Sequence, residues 1–244
     1  MNDTPVYVVL GATGGIGSEL CRRLSARGAR LTVAARDAAR LADLAAGLGA
    51  DAHPLDATRP ADVDACLAGT AERHGRVDGV ANCVGSLLLK PAHLTTEEEW
   101  NATVAANLTT AFAAVRAGAK AMPAGGSIVL VSSVAARVGL ANHEAIAAAK
   151  AGVVGLALAA AATYAPRGVR VNCVAPGLVR TPLTARLTAS DASLKASTAM
   201  HPLGRIGEPG DVAGAIDWLL GAESAWVTGQ VIGVDGGLAS VRPR

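Results

Sequence analysis

The sequence predicts one α/β domain, a doubly wound, seven-stranded parallel sheet with helices on both faces. Three observations carry this. Hydrophobic runs alternate with helical patterns from end to end, as expected for strands joined by helical crossovers. The 244 residues suit a single domain with a sizeable core, and no internal repeat, low-complexity tail or linker divides residues 1–244. A glycine-rich stretch stands between the first apolar run and the first helical pattern, within the first twenty residues.

Taken in order, strands are expected over 6–10, 30–34, 52–54, 79–82, 127–132, 170–174 and 230–234, and helices near 15–27, 38–48, 60–73, 97–121, 143–164 and 209–220. The 97–121 helix has a marked start: Thr95 or Thr96 as N-cap, then Glu97, Glu98 and Glu99 in the first turn, where negative charge suits the helix dipole. The 143–164 segment is nearly all alanine, glycine and valine. So bare a helix lets another approach closely, and a neighbouring subunit is one candidate. The one irregular stretch, 183–209, is polar at its centre (Ser190-Asp191-Ala192-Ser193) and closes on Gly207-Glu208-Pro209. A long insert near the carboxyl ends of strands is expected to cover substrate.

Composition excludes several classes. The chain is 51% apolar with a mean hydropathy of +0.35, yet its most apolar stretch, 151–162, is about twelve residues against the roughly 20 needed to span a bilayer. No basic segment precedes the apolar run at Val6, so no secretory signal is expected. The expectation is a soluble, cytoplasmic protein with no membrane partner. A dispersed net charge of +2 does not indicate nucleic acid. Cys21, Cys66, Cys83 and Cys173 lie far apart with no C-x-x-C, which argues against zinc or a disulfide frame and for buried, reduced thiols.

The glycine-rich stretch is Gly11-Ala12-Thr13-Gly14-Gly15-Ile16-Gly17. Between a strand and a helix, such a turn lets backbone come close to a pyrophosphate, whose charge then sits at the helix N-terminus. The second strand runs into Val33-Ala34-Ala35-Arg36. An acid there would bind a ribose 2′-hydroxyl and select NAD, whereas an arginine pairs with a 2′-phosphate. No acid stands at Ala35 and Arg36 follows it, which favours NADP(H) over NAD(H).

Further along, Ser132-Ser133-Val134-Ala135-Ala136 is followed, thirteen residues after Ser133, by Ile146-Ala147-Ala148-Ala149-Lys150. With the Gly-x-x-x-Gly-x-Gly spacing, this resembles the short-chain dehydrogenase/reductase family, whose fold is a single-domain Rossmann sheet. The resemblance continues nearly end to end. Asp56 with Ala57 matches the acid segment that contacts adenine in the family. Asn82-Cys83-Val84-Gly85 resembles the Asn-Asn-Ala-Gly turn, with two of four residues different. Pro176-Gly177, with Val179 and Thr181, matches the segment holding the nicotinamide amide. Trp226-Val227-Thr228-Gly229-Gln230 to Val234-Asp235-Gly236-Gly237 matches the closing strand.

The resemblance implies a small-molecule substrate, a homodimer or homotetramer, and a catalytic set of asparagine, serine, tyrosine and lysine. Asn107, Ser133 and Lys150 match three of these; by resemblance, the helix around Asn107 kinks, Ser133 polarises a carbonyl, and Lys150 also holds the nicotinamide ribose. Isoleucine stands where the tyrosine is expected. Tyr164, eighteen residues farther along the helix, is about 27 Å away. His143, at helical spacing from Ile146 or Ala147 and Lys150, shares their face, and an imidazole can act as acid or base near neutral pH. Two functions follow: an NADP(H)-dependent oxidoreductase of a carbonyl or alcohol, with His143 or a water near Ser133 and Lys150 as donor, or a catalytically silent nucleotide-binding partner in a mixed oligomer. The substrate pocket is expected among 86–93, 134–143 and 183–209.

Overall fold

The computed structural model describes residues 4–242. Its seven strands are β1 Val6–Leu10, β2 Arg30–Ala35, β3 Asp51–Pro54, β4 Gly79–Asn82, β5 Gly126–Val131, β6 Val169–Pro176 and β7 Val231–Val234. All pair in parallel, in the order β3-β2-β1-β4-β5-β6-β7. Chain order reverses between β1 and β4, and a ligand crevice is expected outside the carboxyl ends of the strands at that point.

The helices are α1 Gly15–Ala26, α2 Ala38–Leu48, α3 Pro60–His74, α4 Glu97–Val104, α5 Thr110–Ala121, α6 Glu144–Tyr164, α7 Ala185–Thr188, α8 Asp191–Met200 and α9 Pro209–Leu220. They cover both faces. On one, Val63 and Leu67 of α3, Ala113 and Ala117 of α5 and Val153 and Ala157 of α6 pack with Val8, Val80, Ile128 and Val171. On the other, Leu20 and Leu24 of α1, Leu41 of α2 and Val212 and Ile216 of α9 pack with Val9, Val33, Val129 and Val174. Burying a sheet on both sides removes apolar area from water twice over, the main favourable term in folding.

The 97–121 helix is interrupted around Asn107, where the resemblance implied a kink: a π-helical turn over Ala105–Thr109 separates α4 from α5. Its start is capped by Thr96, whose hydroxyl accepts from the Glu99 N–H while the Glu99 carboxylate accepts from the Thr96 N–H. Three expectations are corrected. The 183–209 insert is largely helical, carrying α7 and α8; the Ser190 hydroxyl caps α8 by accepting from the Ser193 N–H. Cys21, Cys66 and Cys173 are buried, but Cys83 is only half-buried. Finally, Glu144–Arg167 is a helical stretch of 24 residues, by length and composition apolar enough to cross a membrane. Counting only the unbroken apolar run at 151–162 understated it, because alanine on both sides extends the apolar window. Here α6 packs against β5 and β6 with Ala145, Ala149, Val153, Ala157 and Ala160 buried, as a core helix does.

Candidate active site

Two neighbouring cavities open at the carboxyl ends of the strands. The first, about 1050 Å³, lies over β1, β2 and β3. Its floor is the glycine turn. Gly11 has φ +76°, and a β-carbon there would stand 2.8 Å from the Val84 nitrogen. At Gly17 a β-carbon would meet the Gly11 carbonyl oxygen at 2.3 Å, so α1 could not come so close to the turn. Gly15 is similarly confined, its missing β-carbon 2.8 Å from Thr181 Cγ2. Thr13, Gly14, Arg36, Asp56, Ala57, Val84 and Gly85 line this cavity. Asp56 accepts from the Thr58 N–H and hydroxyl, bonds that hold its carboxyl below the usual range.

Arg40 was not legible from the sequence. It lines the same cavity and donates from Nη2 to the Thr13 carbonyl at 3.1 Å, tying α2 to the glycine turn. Asp37 starts α2 by accepting from the Arg40 N–H. Asn82 does not face the cavity. It is buried, donates to Thr110 Oγ1 and accepts from the Val84 N–H, which fixes the turn after β4.

The second cavity, about 480 Å³, lies over β4, β5 and β6 and shares the Cys83–Leu87 turn with the first. Ile16, Asn107, Ser133, His143, Ile146, Lys150, Pro176, Gly177, Val179 and Thr181 all line it. Leu87 and Leu89 form one wall, Leu140 another, and Leu183, Leu187 and Met200 of the insert a third. His93 is outside it. Among the lining residues there is no carboxylate and no arginine. The rim is strapped by Lys90, which pairs with Glu99 at 2.7 Å while its N–H donates to the Asn142 carbonyl. Asn142 adopts a left-handed backbone, φ +63°, one residue before His143.

Each polar side chain has a defined geometry. Asn107 sits inside the π-turn, buried, donating to the Thr103 carbonyl and Ser86 Oγ, both at 2.9 Å, and accepting from the Ser86 N–H. Widening the helix by one residue per turn is a common way to free backbone groups at a functional site. Ser133 Oγ accepts from the Ala135 N–H at 3.1 Å, which leaves its own proton to donate into the cavity. His143 stands at the N-cap position of α6, its side chain turned back from the helix: its Nδ1 lies 2.7 Å from the Ala141 carbonyl, so Nδ1 holds a proton and Nε2 is the free atom.

Lys150 Nζ donates to the Val131 carbonyl at 2.8 Å. A β-carbon on Gly85 would stand 3.0 Å from Asn107 Oδ1 and 3.5 Å from Lys150 Nζ, so the asparagine and lysine converge on that glycine. Burial pulls the Lys150 amine down to about 8, with Cys173 and Cys83 acting in the opposite sense. Cys83 is half-buried by exposed surface, yet the protein around it pushes its thiol up to about 12, so it stays protonated at neutral pH. His201 is a second residue that no sequence spacing marked. It is buried at the cavity wall, with Nδ1 2.7 Å from the Ser197 carbonyl and Nε2 accepting from the Leu178 N–H, and it pins α8 to the end of β6.

Residues 11–239 match the family model described as enoyl-(acyl carrier protein) reductase. An uncharacterized oxidoreductase of Mycobacterium tuberculosis is 37% identical over 241 residues, covering 94% of this chain and 89% of the relative. The 3-oxoacyl-[acyl-carrier-protein] reductase FabG of Vibrio cholerae is 34% identical, covering 96% of each. Among solved structures, a short-chain type dehydrogenase/reductase from Mycobacterium ulcerans superposes with a TM-score of 0.94 at 32% identity, covering 98% of this chain and 90% of the other. A variant actinorhodin polyketide ketoreductase, solved with NADPH, gives 0.91 at 32% identity, covering 99% of both.

Proposed function

The chain belongs to the short-chain dehydrogenase/reductase family, and we propose that it is an NADP(H)-dependent oxidoreductase of a carbonyl or alcohol, with Ile146 at the position of the family's tyrosine. One observation carries the reading: Ser133, Asn107 and Lys150 converge on an apolar cavity that adjoins, through the Cys83–Leu87 turn, a glycine-floored cleft with two arginines. That cleft fits a dinucleotide phosphate. The close approach of Gly17 to Gly11 brings α1's N-terminus to the turn, and Arg36 and Arg40 supply positive charge beyond β2. The ketoreductase solved with NADPH supports the same assignment.

NADPH, when bound, supplies a hydride to the carbonyl carbon. The chain's residues do the rest. The glycine turn, Arg36, Asp56, Thr181 and Lys150 hold the nucleotide. The Ser133 hydroxyl donates to the carbonyl oxygen, and His143 Nε2, when protonated, delivers the proton that Ile146 cannot. The leucines and Met200 exclude water and select an aliphatic substrate, with the 183–209 insert as the cover. We assign the working form to a homodimer or homotetramer; exposed Phe112 on α5 and Leu158 on α6, beside the small residues Ala151 and Gly155, support contact with a second copy. The four free cysteines suit the reducing cytoplasm.

Titration of the purified protein by nucleotide fluorescence, NADPH against NADH, tests this directly. NADPH is expected to bind more tightly. Binding of neither would overturn the oxidoreductase reading and favour the second one, a silent partner subunit in a mixed oligomer, which the apolar Ile146 supports. His143→Ala is expected to lower turnover by about 10²-fold; an unchanged rate would remove it as the acid.

A further inference from the structure

Lys150 is a buried amine in a setting that does not suit a cation. It is 6% exposed. Among the described residues its one hydrogen bond is to the Val131 carbonyl, and the cavity it faces holds no carboxylate to balance a charge. Ile146, one helical turn earlier on the same face, brings neither a hydroxyl nor a counter-charge. Ser133 lines the same cavity, and its hydroxyl proton is free to point inward because its oxygen is occupied by the Ala135 N–H. Asn107 and His143 line it too, and Leu87, Leu89, Leu183, Leu187 and Met200 make the rest of the lining largely apolar. A buried amine, a hydroxyl donor and a largely apolar chamber together make a carbonyl trap.

We propose that Lys150 forms an imine with neutral aliphatic aldehydes or ketones held in this cavity. The Nζ lone pair forms an N–C bond at the carbonyl carbon, and the π pair moves to oxygen, steadied by the Ser133 hydroxyl. A proton shed by nitrogen passes to that oxygen, giving a carbinolamine. The remaining nitrogen lone pair then expels the oxygen with a second proton as water, and loss of the last N–H proton leaves a neutral imine. One carbonyl and one amine give one imine and one water, with no oxidant or reductant. Burial, which brings the amine to about 8, makes a large share neutral under mild alkaline conditions. The step needs no nucleotide, so it goes beyond the oxidoreductase reading and does not rest on it.

The test uses nucleotide-free wild-type protein with hexanal and sodium cyanoborohydride, followed by peptide mapping. Lys90, Lys120 and Lys195 are the internal controls. At pH 8 an ordinary lysine is ~99% protonated, so Lys150 is expected to be alkylated at least roughly tenfold faster than the other three. Equal or slower labelling of Lys150 in the folded protein would overturn the proposal. Saturating NADPH, with binding verified by fluorescence, is expected to suppress the reaction; undiminished labelling would set the reacting amine outside the cleft and also overturn it. If NADPH does not bind at all, the tenfold preference still decides the matter, and only the oxidoreductase reading falls.

Discussion

At the β1–β2 end of the cleft the walls are largely backbone: the Gly11–Gly17 turn, the start of α1 and the carbonyl of Thr13, with two arginines at the edge. At the β4–β6 end they are side chains: a lysine, a serine, an asparagine, a histidine, and a surround of leucine and methionine. Backbone walls tolerate almost no addition, since a single β-carbon collides with the next turn. Side-chain walls can be exchanged one at a time without disturbing the sheet. A change at position 146 would therefore alter the chemistry of one end while the other keeps its shape.

The sharpest way to separate the two ends is Ile146→Tyr. NADPH-dependent ketone reduction is expected to rise by about 10²–10⁴, the usual contribution of a positioned general acid, with the NADPH dissociation constant little changed. Steady-state kinetics checks it. A stable, NADPH-binding variant with no gain would show that the side-chain end is not arranged as a reductase site.

Next comes the charge of Lys150. Its folded value of about 8 lies below the ordinary 10.5, so between those values the unfolded chain binds the extra proton. Raising the pH through that window therefore stabilises the folded form, and below about 8 the full cost is felt. Comparing wild type with Lys150→Met in urea at pH 7 and pH 10 is expected to shift the stability difference towards wild type by about 2.5 kcal/mol. No shift would mean the lysine is not desolvated, and the contrast between the two ends would weaken.

Smaller still, Gly17→Ala is expected to weaken NADPH binding about thirtyfold, an overpacking cost of roughly 2 kcal/mol at the turn. Titration calorimetry reads it, and wild-type affinity would show that the turn is less rigid than its geometry implies. Arg36→Ala is expected to lose about tenfold against NADPH and almost nothing against NADH. An equal loss for both would move the arginine from selecting the 2′-phosphate to a general electrostatic role.

The fold was legible because each strand and crossover helix carries its own pattern; the bounds of β1, α2, β4 and α9 coincide with the sequence expectation, and the other expected elements, the interrupted 97–121 helix aside, differ by one or two residues at their ends. The π-turn was not legible from periodicity. One extra residue per turn shifts a hydrophobic pattern only slightly, and Ala105 and Ala106 fit either geometry. The helices of the insert carry one local signal, Ser190 as N-cap before Asp191, set in a stretch whose polar composition is that of a loop. At the site, Ser133 and Lys150 stand at a spacing that resembles the family's, and Asn107 was placed by that resemblance alone. Arg40 and His201 act on backbone carbonyls and N–H groups distant in sequence, and nothing local marks such a bond. Cys83 was misjudged because an apolar neighbourhood in sequence need not be a buried one at the lip of two cavities.

The apolar length of α6 has a consequence for how the protein is made. A newly synthesised chain is judged by hydropathy before its sheet exists, and Glu144–Arg167 is long and apolar enough to be taken for a bilayer span. A lysine at the centre of an inserted helix opposes entry by roughly 2.5–3.5 kcal/mol and less towards its ends; Lys150, on the second turn of α6, lies nearer the end. In the finished fold β5 and β6 cover the helix, and because β6 follows it in the chain, that cover is complete only once β6 has been made.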